Sequence, residues 1–510
     1  MTAPRQVDRR AGDGPFQSHY IPNTLEEQAD MLATLGLTSI EELFLDIPDG
    51  FRNPPLDLPG PLSELEIQRD LAQLASLNRP LCGGPSFLGA GSYHHFIPSI
   101  VKALMTRGEF LTAYTPYQPE ASQGTLQVIY EFQTLVCNLY AMEVANAGMY
   151  DGATSLAEAV LMACRVTRRR RVALANTVSP AYQQVIRTYC QAQGIEIRTV
   201  SLGNPPMSPL SKGGIEGGSL SKGGAEGGLE VDGQTACLVV QYPNFYGYIE
   251  DLAHQSGAAH RHGALLVVSA DPIAVGFFQP PGIYGADIVT GEGQPLGIPP
   301  SFGGPYLGLF ATRQQFLRQM PSRLAGRTLD RQGRTGYVLT LQTREQHIRR
   351  ERATSNICTN EALYSLASTI YLSALGKQGL RQVAELCYHK ARYTAARIAQ
   401  LPGYSLPLEG TFFQEFVVQC PAPPSVINRR LLELNILGGL DISEPPYNPP
   451  LITGDEGGSP PYQGGTDPPY VLPSQGGTTG GLNTYMLVCV TEMNSREDIE
   501  ALLAGLAEFS

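Results

Sequence analysis

The stretch LLVVSADPIAV, at residues 265–275, decides the fold of this 510-residue chain. The nearly all-apolar run ALLVVS covers residues 264–269, and a second such run, ACLVVQ, covers residues 236–241. Such runs are typical of parallel strands that helices cover on both faces. Further strand candidates at 171–175 and 195–200 alternate with helical segments, so the sequence predicts an open α/β domain with a mostly parallel sheet.

The apolar run ends in a carboxylate, Asp271. A carboxylate is costly to bury unless it meets a partner, and ligands of open α/β sheets bind at the carboxyl ends of strands. In a pyridoxal-phosphate enzyme of this architecture, such an Asp would pair with the pyridinium nitrogen, and a lysine roughly 20–30 residues later would form the Schiff base. The stretch that follows, ADIVTGEGQPLGIPPSFGGPYLGLF at 286–310, holds no lysine.

A lysine in a suitable position is missing from the rest of the chain as well, although the chain contains five lysines. Lys212 and Lys222 lie in a Gly-rich repeat, whereas Lys102, Lys377 and Lys390 lie in amphipathic helical segments. No lysine follows a strand in a Gly-rich turn. Because covalent attachment of pyridoxal needs an amine, the sequence disfavours a self-sufficient pyridoxal enzyme.

A candidate anion site lies in YDGATS, residues 150–155, where a strong helical pattern begins. Gly152 allows a tight turn, and Thr154 and Ser155 add hydroxyl groups to the loose N–H groups of a helix N-terminus. We interpret Thr154, Ser155 and Asp271 together as a possible vestigial anion site. Simple capping of the helix by the two hydroxyls explains the pattern equally well.

The densest polar segment is 89–124, which Gly and Pro punctuate. Aromatic and amide groups in rigid turns suit a small polar ligand, although packing at a subunit interface is an equal alternative. Two adjacent histidines diverge and no carboxylate ligand pattern accompanies them, so no metal site is predicted. The candidate pocket residues are Tyr93, His94, His95, Tyr114, Tyr117, Gln118 and Glu120.

Composition limits the environment of the protein. A net charge of -11 disfavours binding to nucleic acid or to an anionic membrane surface. The nine cysteines lack metal-ligand spacing, and no apolar run resembles a secretory signal or a membrane span. We therefore expect a cytoplasmic protein without a disulfide framework.

The domain organisation follows from the same patterns. Residues 1–60 are predicted to form a tail and a helical arm, 61–340 a large α/β domain, and 341–510 connecting helices with a C-terminal α+β domain. Two segments, 203–229 and 444–481, are so rich in Gly and Pro that they are predicted to be disordered surface insertions.

Several motifs resemble subunit 1 (alpha) of the glycine cleavage system P-protein, a glycine dehydrogenase (decarboxylating). They are YIPNT at 20–24, FLGAGSYHHFIP at 87–98, FLTAYTPYQPEASQG at 110–124, YDGATS at 150–155, QYPNFYGYIED at 241–251, GEGQPLG at 291–297, LQTREQHIRRERATSNICTN at 341–360 and VTEMNSREDI at 490–499. The motifs span nearly the whole chain, and the two Gly/Pro-rich segments leave all of them intact.

The resemblance implies a pyridoxal-phosphate-dependent transferase fold of type I. It implies a sister, subunit 2 (beta), which holds pyridoxal phosphate on a lysine; counted from the shared Gly303-Gly304-Pro305, Gln294 stands at that lysine's position. The expected reaction decarboxylates glycine and passes the aminomethyl group to the lipoyl arm of the H-protein. Two copies of each subunit are expected, in which segments 93–95 and 114–123 would complete the pocket over the partner's cofactor.

Two other hypotheses remain open at this point. The chain could be a non-catalytic assembly or H-protein-docking subunit with a vestigial pocket. It could also be an independent pyridoxal decarboxylase that uses Lys102, although the position of this lysine in a helical pattern disfavours that reading.

Overall fold

The computed structural model describes residues 23–52, 60, 62–78, 80, 83–202, 231–342, 345–357, 361–443 and 484–510. The chain divides into two compact units, Met1–Pro80 and Leu81–Ser510. The predicted tail and both Gly/Pro-rich segments lie outside the described residues, as do Lys212 and Lys222. The domain limits at 60 and 340 stay predictions.

Within its described residues, the first unit contains two helices, α1 (Leu25–Thr34) and α2 (Glu64–Ala75), with short 3-10 helices at Ile40–Phe44 and Asp49–Phe51. The sequence predicts a capped helix that begins at Asn23-Thr24, and the structure confirms it, because Thr24 caps α1. The Glu27 N–H donates to Thr24 Oγ1 at 3.2 Å, and Glu27 Oε2 accepts from the Thr24 N–H at 2.7 Å. This reciprocal capping satisfies two N–H groups that the helix start leaves without partners.

The second unit carries all the strands of the described chain. Its helices are α3 (Ser99–Met105), α4 (Gly108–Leu111), α5 (Gln123–Tyr140), α6 (Gly152–Thr167), α7 (Pro180–Gln191), α8 (Leu252–Arg261), α9 (Gln346–Arg349), α10 (Ala362–Ile398), α11 (Pro424–Glu433) and α12 (Arg496–Ala507). Its strands are β1 (Val144–Ala145), β2 (Arg171–Ala175), β3 (Glu196–Val200), β4 (Thr235–Tyr242), β5 (Leu265–Ala270), β6 (Ile288–Glu292), β7 (Gly308–Thr312), β8 (Leu324–Leu329), β9 (Thr335–Thr340), β10 (Glu415–Gln419), β11 (Leu440–Asp441) and β12 (Tyr485–Cys489). No described helix combines the length and the hydropathy that a membrane crossing requires.

The main sheet confirms the predicted α/β fold. Among the described residues its strand order is β1-β7-β6-β5-β4-β2-β3, and strands β2 to β6 run parallel to one another. All six residues of β5 are buried, as expected for a strand that helices cover on both faces. The edge formed by β7 and β1 is antiparallel, which the sequence analysis did not predict.

A second, smaller core surrounds the antiparallel sheet β10-β12-β11 near the C-terminus. Phe416 of β10 lies opposite Val488 of β12, and both side chains are fully buried. Helices α11 and α12 and the end of α10 pack against this sheet, which confirms the predicted C-terminal α+β segment. The main sheet and the smaller sheet together set the position of the cleft described next.

Candidate functional site

A cleft of about 600 Å³, part of it open to solvent, lies at the carboxyl ends of β4, β5 and β6. The carboxyl ends of parallel strands are where open α/β sheets bind ligands. The lining residues are Ala90, Gly91, Tyr93, Ser179, Tyr182, Gln241, Pro243, Asn244, Phe245, Gly247, Ser269, Ala270, Asp271, Pro272, Glu292, Pro295, Phe413, Gln414 and Glu415.

Asp271 lies at the end of β5 and lines this cleft, where the sequence places a ligand-pairing carboxylate. Its Oδ1 accepts hydrogen bonds from the N–H groups of Ile273 (2.7 Å) and Ala274 (2.9 Å). Its Oδ2 accepts from Nε2 of Gln414 at 3.1 Å. Burial raises the pKa of Asp271, against the lowering effect of the two N–H groups. Both carboxyl oxygens therefore have partners within the chain.

Glu292, the last residue of β6, joins three parts of the cleft wall. Its Oε2 accepts from the Gly152 N–H at 2.9 Å, and its Oε1 accepts from the N–H groups of Gln294 (2.9 Å) and Leu307 (3.2 Å). Burial raises the pKa of Glu292 to about 8, although the three N–H groups oppose the shift. The carboxyl group is thus held by backbone donors from the start of α6, from the turn after β6 and from the residue before β7.

The start of α6 is satisfied by its own residues. The Asp151 side chain accepts from the Thr154 N–H at 2.8 Å, and Thr154 Oγ1 accepts from the Asp151 N–H at 3.2 Å. The Ser155 hydroxyl donates to the Asp151 carbonyl at 2.7 Å. The hydroxyls of the candidate anion site therefore serve the capping of α6, and of its three residues only Asp271 lines the cleft among the described residues.

Gln294 lies behind the cleft wall, fully buried. Its side-chain amide pairs with the backbone of Tyr93: Oε1 accepts from the Tyr93 N–H at 2.9 Å, and Nε2 donates to the Tyr93 carbonyl at 3.0 Å. Nε2 also donates to the carbonyl of Ile298 at 2.6 Å. All the polar atoms of this side chain are thus occupied in holding backbone.

Tyr93 and Glu415 close the cleft from the side of the smaller sheet. The Tyr93 hydroxyl donates to Glu415 Oε2 at 2.7 Å, and the Ala90 N–H donates to Glu415 Oε1 at 2.6 Å. Burial raises the pKa of Glu415 to about 7, and burial together with this carboxyl raises the pKa of Tyr93 well above its usual value. The Tyr93 hydroxyl therefore keeps its proton at neutral pH and donates it in the hydrogen bond to Glu415.

The neighbouring histidines lie outside the lining of the cleft. His95 is buried, and its Nδ1 lies 2.7 Å from Glu492 Oε2. Burial would raise the pKa of Glu492, but the His95 ring outweighs this effect and the pKa is lowered. Cys387 donates to the same oxygen at 3.3 Å, so three atoms of metal-ligating type lie within 4.8 Å of one another. His94 is half-buried, and burial lowers the pKa of its ring.

The remaining candidates lie on an exposed segment before α5, and none of them lines the cleft among the described residues. Tyr114 is 79% exposed, and Gln118 and Glu120 are exposed as well. The hydroxyl of Tyr117 accepts from Nη2 of Arg323 at 3.2 Å. The structure therefore separates the predicted pocket residues into a buried group around Tyr93 and an exposed group at 114–120.

The described lysines lie away from the cleft. Lys102 and Lys377 are exposed on helices, and Nζ of Lys390 donates to the carbonyls of Glu492 and Asn494, each at 2.6 Å. The cleft lining contains neither lysine nor arginine among the residues that the structure describes.

Sequence reasoning missed Glu292, Gln414 and Glu415. The signal for Glu292 was the one that found Asp271, a carboxylate at the end of an apolar strand, here in ADIVTGE. Glu415 lies within the apolar run FFQEFVVQ, where a carboxyl group also needs a partner. Gln414 gave no such signal, since its role depends on contact with a residue 143 positions away.

Comparison with known proteins agrees with this geometry. The model of the glycine cleavage system P-protein family matches residues 18–456. The chain is 49% identical over 490 residues to the probable glycine dehydrogenase (decarboxylating) subunit 1 of Thermomicrobium roseum, covering 96% of this chain and 99% of that protein. Identity to the protein of the same name from Desulforamulus reducens is also 49%, covering 96% of this chain and 100% of that protein.

Solved structures extend the comparison to the fold. The crystal structure of glycine decarboxylase (P-protein) of the glycine cleavage system, in inhibitor-bound form, matches with a TM-score of 0.81 and 40% identity, covering 97% of this chain and 100% of that chain. Glutamate decarboxylase of Lactobacillus brevis, at 14% identity, shares the fold alone with a TM-score of 0.59, covering 89% of this chain and 94% of that chain. The chain therefore belongs to the glycine cleavage system P-protein family, among the proteins that form subunit 1 of glycine dehydrogenase (decarboxylating).

Proposed function

We propose that this subunit acts together with a sister, P-protein subunit 2 (beta), which holds pyridoxal phosphate. The pair decarboxylates glycine and transfers the remaining aminomethyl group to the lipoyl arm of the H-protein. Relatives named as subunit 1 support the existence of a second subunit. Two copies of each subunit, as the resemblance of the sequence motifs implies, would form the complete enzyme.

The observation that carries the proposal is the amide of Gln294. It stands where the family resemblance places the lysine, and its polar atoms hold the backbone of Tyr93 and Ile298. An amide cannot form an imine, and no lysine lines the cleft within the described part of the chain. The residues present therefore do not fit covalently bound pyridoxal phosphate, and we assign the cofactor to the sister subunit.

In the sister, the cofactor supplies an electron sink for the negative charge that remains when carbon dioxide leaves. This subunit contributes surface and shape. Its segment 114–120 carries a 79%-exposed Tyr114 next to the exposed Gln118 and Glu120. Aromatic side chains that project from a fixed segment are common anchors of protein interfaces. We propose that this exposed group covers the partner's cofactor and excludes water from it.

The buried group has a positioning role in this proposal. Tyr93 is fixed at its backbone by Gln294 and at its hydroxyl by Glu415, and His95 is fixed by Glu492. These contacts hold the start of the chain segment that leads through α3 and α4 to residue 114. His94 and His95 thus support the pocket from within rather than contacting the reacting atoms.

We place the protein in the cytoplasm, where a reducing environment suits its thiols. The described cysteines are free, and most of them are buried. Burial raises the pKa of several thiols, for example that of Cys137 to about 11, so they are poorly reactive.

Co-purification with the sister subunit tests the proposal, followed by assay of the glycine–bicarbonate exchange with each subunit alone and with both. We expect exchange from the mixed complex and none from this chain alone. Exchange by this chain alone, or pyridoxal phosphate bound covalently to it, would refute the assignment of the cofactor. Inactivity of a stably assembled mixed complex would refute the joint reaction.

A variant pair separates the catalytic proposal from the alternative, an assembly or H-protein-docking subunit. We expect the triple change of Tyr114, Gln118 and Glu120 to Ala to lower exchange per intact complex. The matched control is Tyr393→Ala, which removes another exposed tyrosine, on α10. If the triple variant changes assembly but leaves turnover per complex unchanged, the assembly role is the correct one.

A further inference from the structure

The cleft of this subunit contains three positions at which a pyridoxal-phosphate enzyme would hold its cofactor, and side chains of the chain itself occupy all three. Glu292 meets the Gly152 N–H at the start of α6, Gln414 meets Asp271, and Gln294 meets the backbone of Tyr93. We propose that Glu292 is an internal ligand that fills the anion position of α6 and thereby excludes phosphate-bearing ligands from this cleft. The proposal rests on the proposed function, because it explains why the cofactor belongs to the sister.

The backbone N–H groups at the start of α6 already have partners within the chain. A helix N-terminus attracts phosphate because its first N–H groups lack partners within the helix. Here the Gly152 N–H is taken by Glu292 at 2.9 Å, and the Thr154 N–H is taken by Asp151 at 2.8 Å. A phosphate would have to displace two carboxyl groups to reach these donors.

The space around Gly152, at the start of α6, is filled as well. A Cβ atom added to Gly152 would lie 2.5 Å from the hydroxyl oxygen of Tyr182 and 3.0 Å from both Cβ and the backbone nitrogen of Glu292. Both residues line the cleft. The gap between the end of β6 and the start of α6 is therefore filled to the point that one further carbon atom does not fit without movement.

The described lining of the cleft also lacks positive charge. Asp271, Glu292 and Glu415 all line the cleft, and its described lining contains no lysine or arginine that would balance a phosphate. A phosphate monoester carries a charge of about -1.5 to -2 at neutral pH. Burial of such a charge is costly without a cationic partner. The lining therefore opposes phosphate because it offers no cationic partner, as well as through its shape.

The opposite end of the cleft is closed in the same manner. The amide of Gln414 donates to Oδ2 of Asp271, the oxygen that a pyridinium nitrogen would need. Replacement of Gln294 by lysine would therefore restore only one of three contacts. The exclusion of phosphate-bearing ligands by Glu292 is therefore distinct from the absence of a lysine, and the two can be tested separately.

The test compares Glu292→Gly with Glu292→Gln in the isolated full-length chain. Glycine vacates the anion position, whereas glutamine keeps it filled with a side chain of the same size. Inorganic phosphate and pyridoxal phosphate are titrated while the melting temperature and the bound fraction are measured. We expect Glu292→Gly to gain at least about tenfold in affinity for both and to melt at a higher temperature in their presence. The wild type and Glu292→Gln should show no such gain.

Glu415→Gln is the matched control, because it neutralises a cleft carboxyl group away from α6. A phosphate-dependent rise in melting temperature for all variants and the wild type would indicate a general salt effect and would overturn the proposal. Absence of any gain for Glu292→Gly would overturn it too. If Glu292→Gly folds only when phosphate is added, the ion replaces the missing carboxyl group, which supports the proposal; failure to fold with phosphate refutes it.

A second measurement separates this inference from the proposed function. Pyridoxal phosphate is trapped with borohydride on Gln294→Lys and on Gln294→Lys combined with Glu292→Gly, and the adduct is located by mass spectrometry. We expect the adduct at residue 294 in the double variant alone. An equal adduct in the single variant would refute the role of Glu292 but leave the sister's role intact. Failure of the mixed complex in the exchange assay would refute the proposed function and leave these binding results unaffected.

Discussion

Replacement of Gln294 by alanine should destabilise the subunit, although no ligand contacts this residue in the proposed mechanism. The change removes three buried hydrogen bonds, those to the Tyr93 N–H (2.9 Å), the Tyr93 carbonyl (3.0 Å) and the Ile298 carbonyl (2.6 Å). A buried backbone group without a partner costs about 1–3 kcal/mol. Water entering the vacated volume would satisfy part of this demand. We therefore expect a loss of about 3–5 kcal/mol in the free energy of unfolding.

The chain offers a matched control in Gln133, which pairs with the backbone of Ala325 in the same manner. Gln133 Oε1 accepts from the Ala325 N–H at 2.9 Å, and its Nε2 donates to the Ala325 carbonyl at 3.0 Å. Gln133→Ala removes two bonds far from Tyr93 in sequence, so its loss should be smaller, at about 2–3 kcal/mol. Both variants should melt at lower temperature than the wild type.

Hydrogen exchange measured by mass spectrometry distinguishes the local effect from the global one. In Gln294→Ala, peptides that contain the Tyr93 amide should exchange at least about tenfold faster than in Gln133→Ala. A Gln294→Ala chain that is as stable as the wild type, with unchanged protection at Tyr93, would show that the amide pairing has no energetic role. The reasoning about Gln294 would then fail.

The other predictions concern the buried carboxyl groups. Because burial raises the folded-state pKa of Glu292 from 4.5 to about 8, its contribution to stability is complete below pH 4.5 and is lost as the pH rises through about 8. Glu292→Gln should flatten this decline in melting curves recorded between pH 4.5 and about 8. An unchanged slope would contradict the assignment. Tyr93→Phe removes the hydroxyl that donates to Glu415, so the melting temperature should fall with a loss of about 1–2 kcal/mol, and an equally stable variant would exclude a stabilising role for this bond. His95→Ala removes a hydrogen-bond partner of the Glu492 carboxyl group, and denaturant unfolding should show a loss of about 1.5–3 kcal/mol in the free energy of unfolding. His95→Gln should recover part of this loss. Identical losses in the two variants would show that His95 stabilises the fold through packing instead.

The parallel strands were predictable from sequence because their signal is local. The runs at 171–175, 236–241 and 264–269 are apolar except for one terminal residue each, and β2, β4 and β5 coincide with them to within one residue at each end. The antiparallel edge at β7 was missed, because GLFAT is short and follows a turn rich in Gly and Pro that shows no strand pattern. The hairpin β8–β9 was missed because its residues are mostly half-buried or exposed and carry no apolar run.

The charged segment 341–360 shows the limit of helical spacing as evidence. Opposite charges at helical spacing predict that part of this segment is an ion-paired helix face, but α9 covers four residues, Gln346–Arg349, and a 3-10 helix follows. Oε2 of Glu345 instead lies 3.4 Å from Nε of Arg323, the residue before β8, and both side chains are little exposed. A partner that lies far away in the sequence leaves no trace in the local spacing.

The residues of the candidate site could likewise be predicted only where the signal is local. Asp271 could be found because a carboxylate at the end of an apolar strand is costly by itself. The closure of the cleft could not be found, since it depends on side chains that meet over long sequence distances, as Gln294 meets Tyr93 across 201 residues and Gln414 meets Asp271 across 143. The absence of a lysine is visible in the sequence, whereas the pairing of Gln294 with the backbone of Tyr93 is visible only in the structure.

The buried contacts also limit what a loss of activity can mean. Tyr93 is bonded through its backbone to Gln294 and through its hydroxyl to Glu415, and this segment leads directly to α3 and the exposed residues at 114–120. Displacement of Tyr93 would therefore move the surface that we propose to face the partner. A Gln294 variant with low activity in the mixed complex would not place Gln294 beside the reacting atoms, because the same loss follows from a shifted segment. Only variants of the exposed side chains themselves, assayed in complexes shown to be intact, can assign a direct role in the reaction.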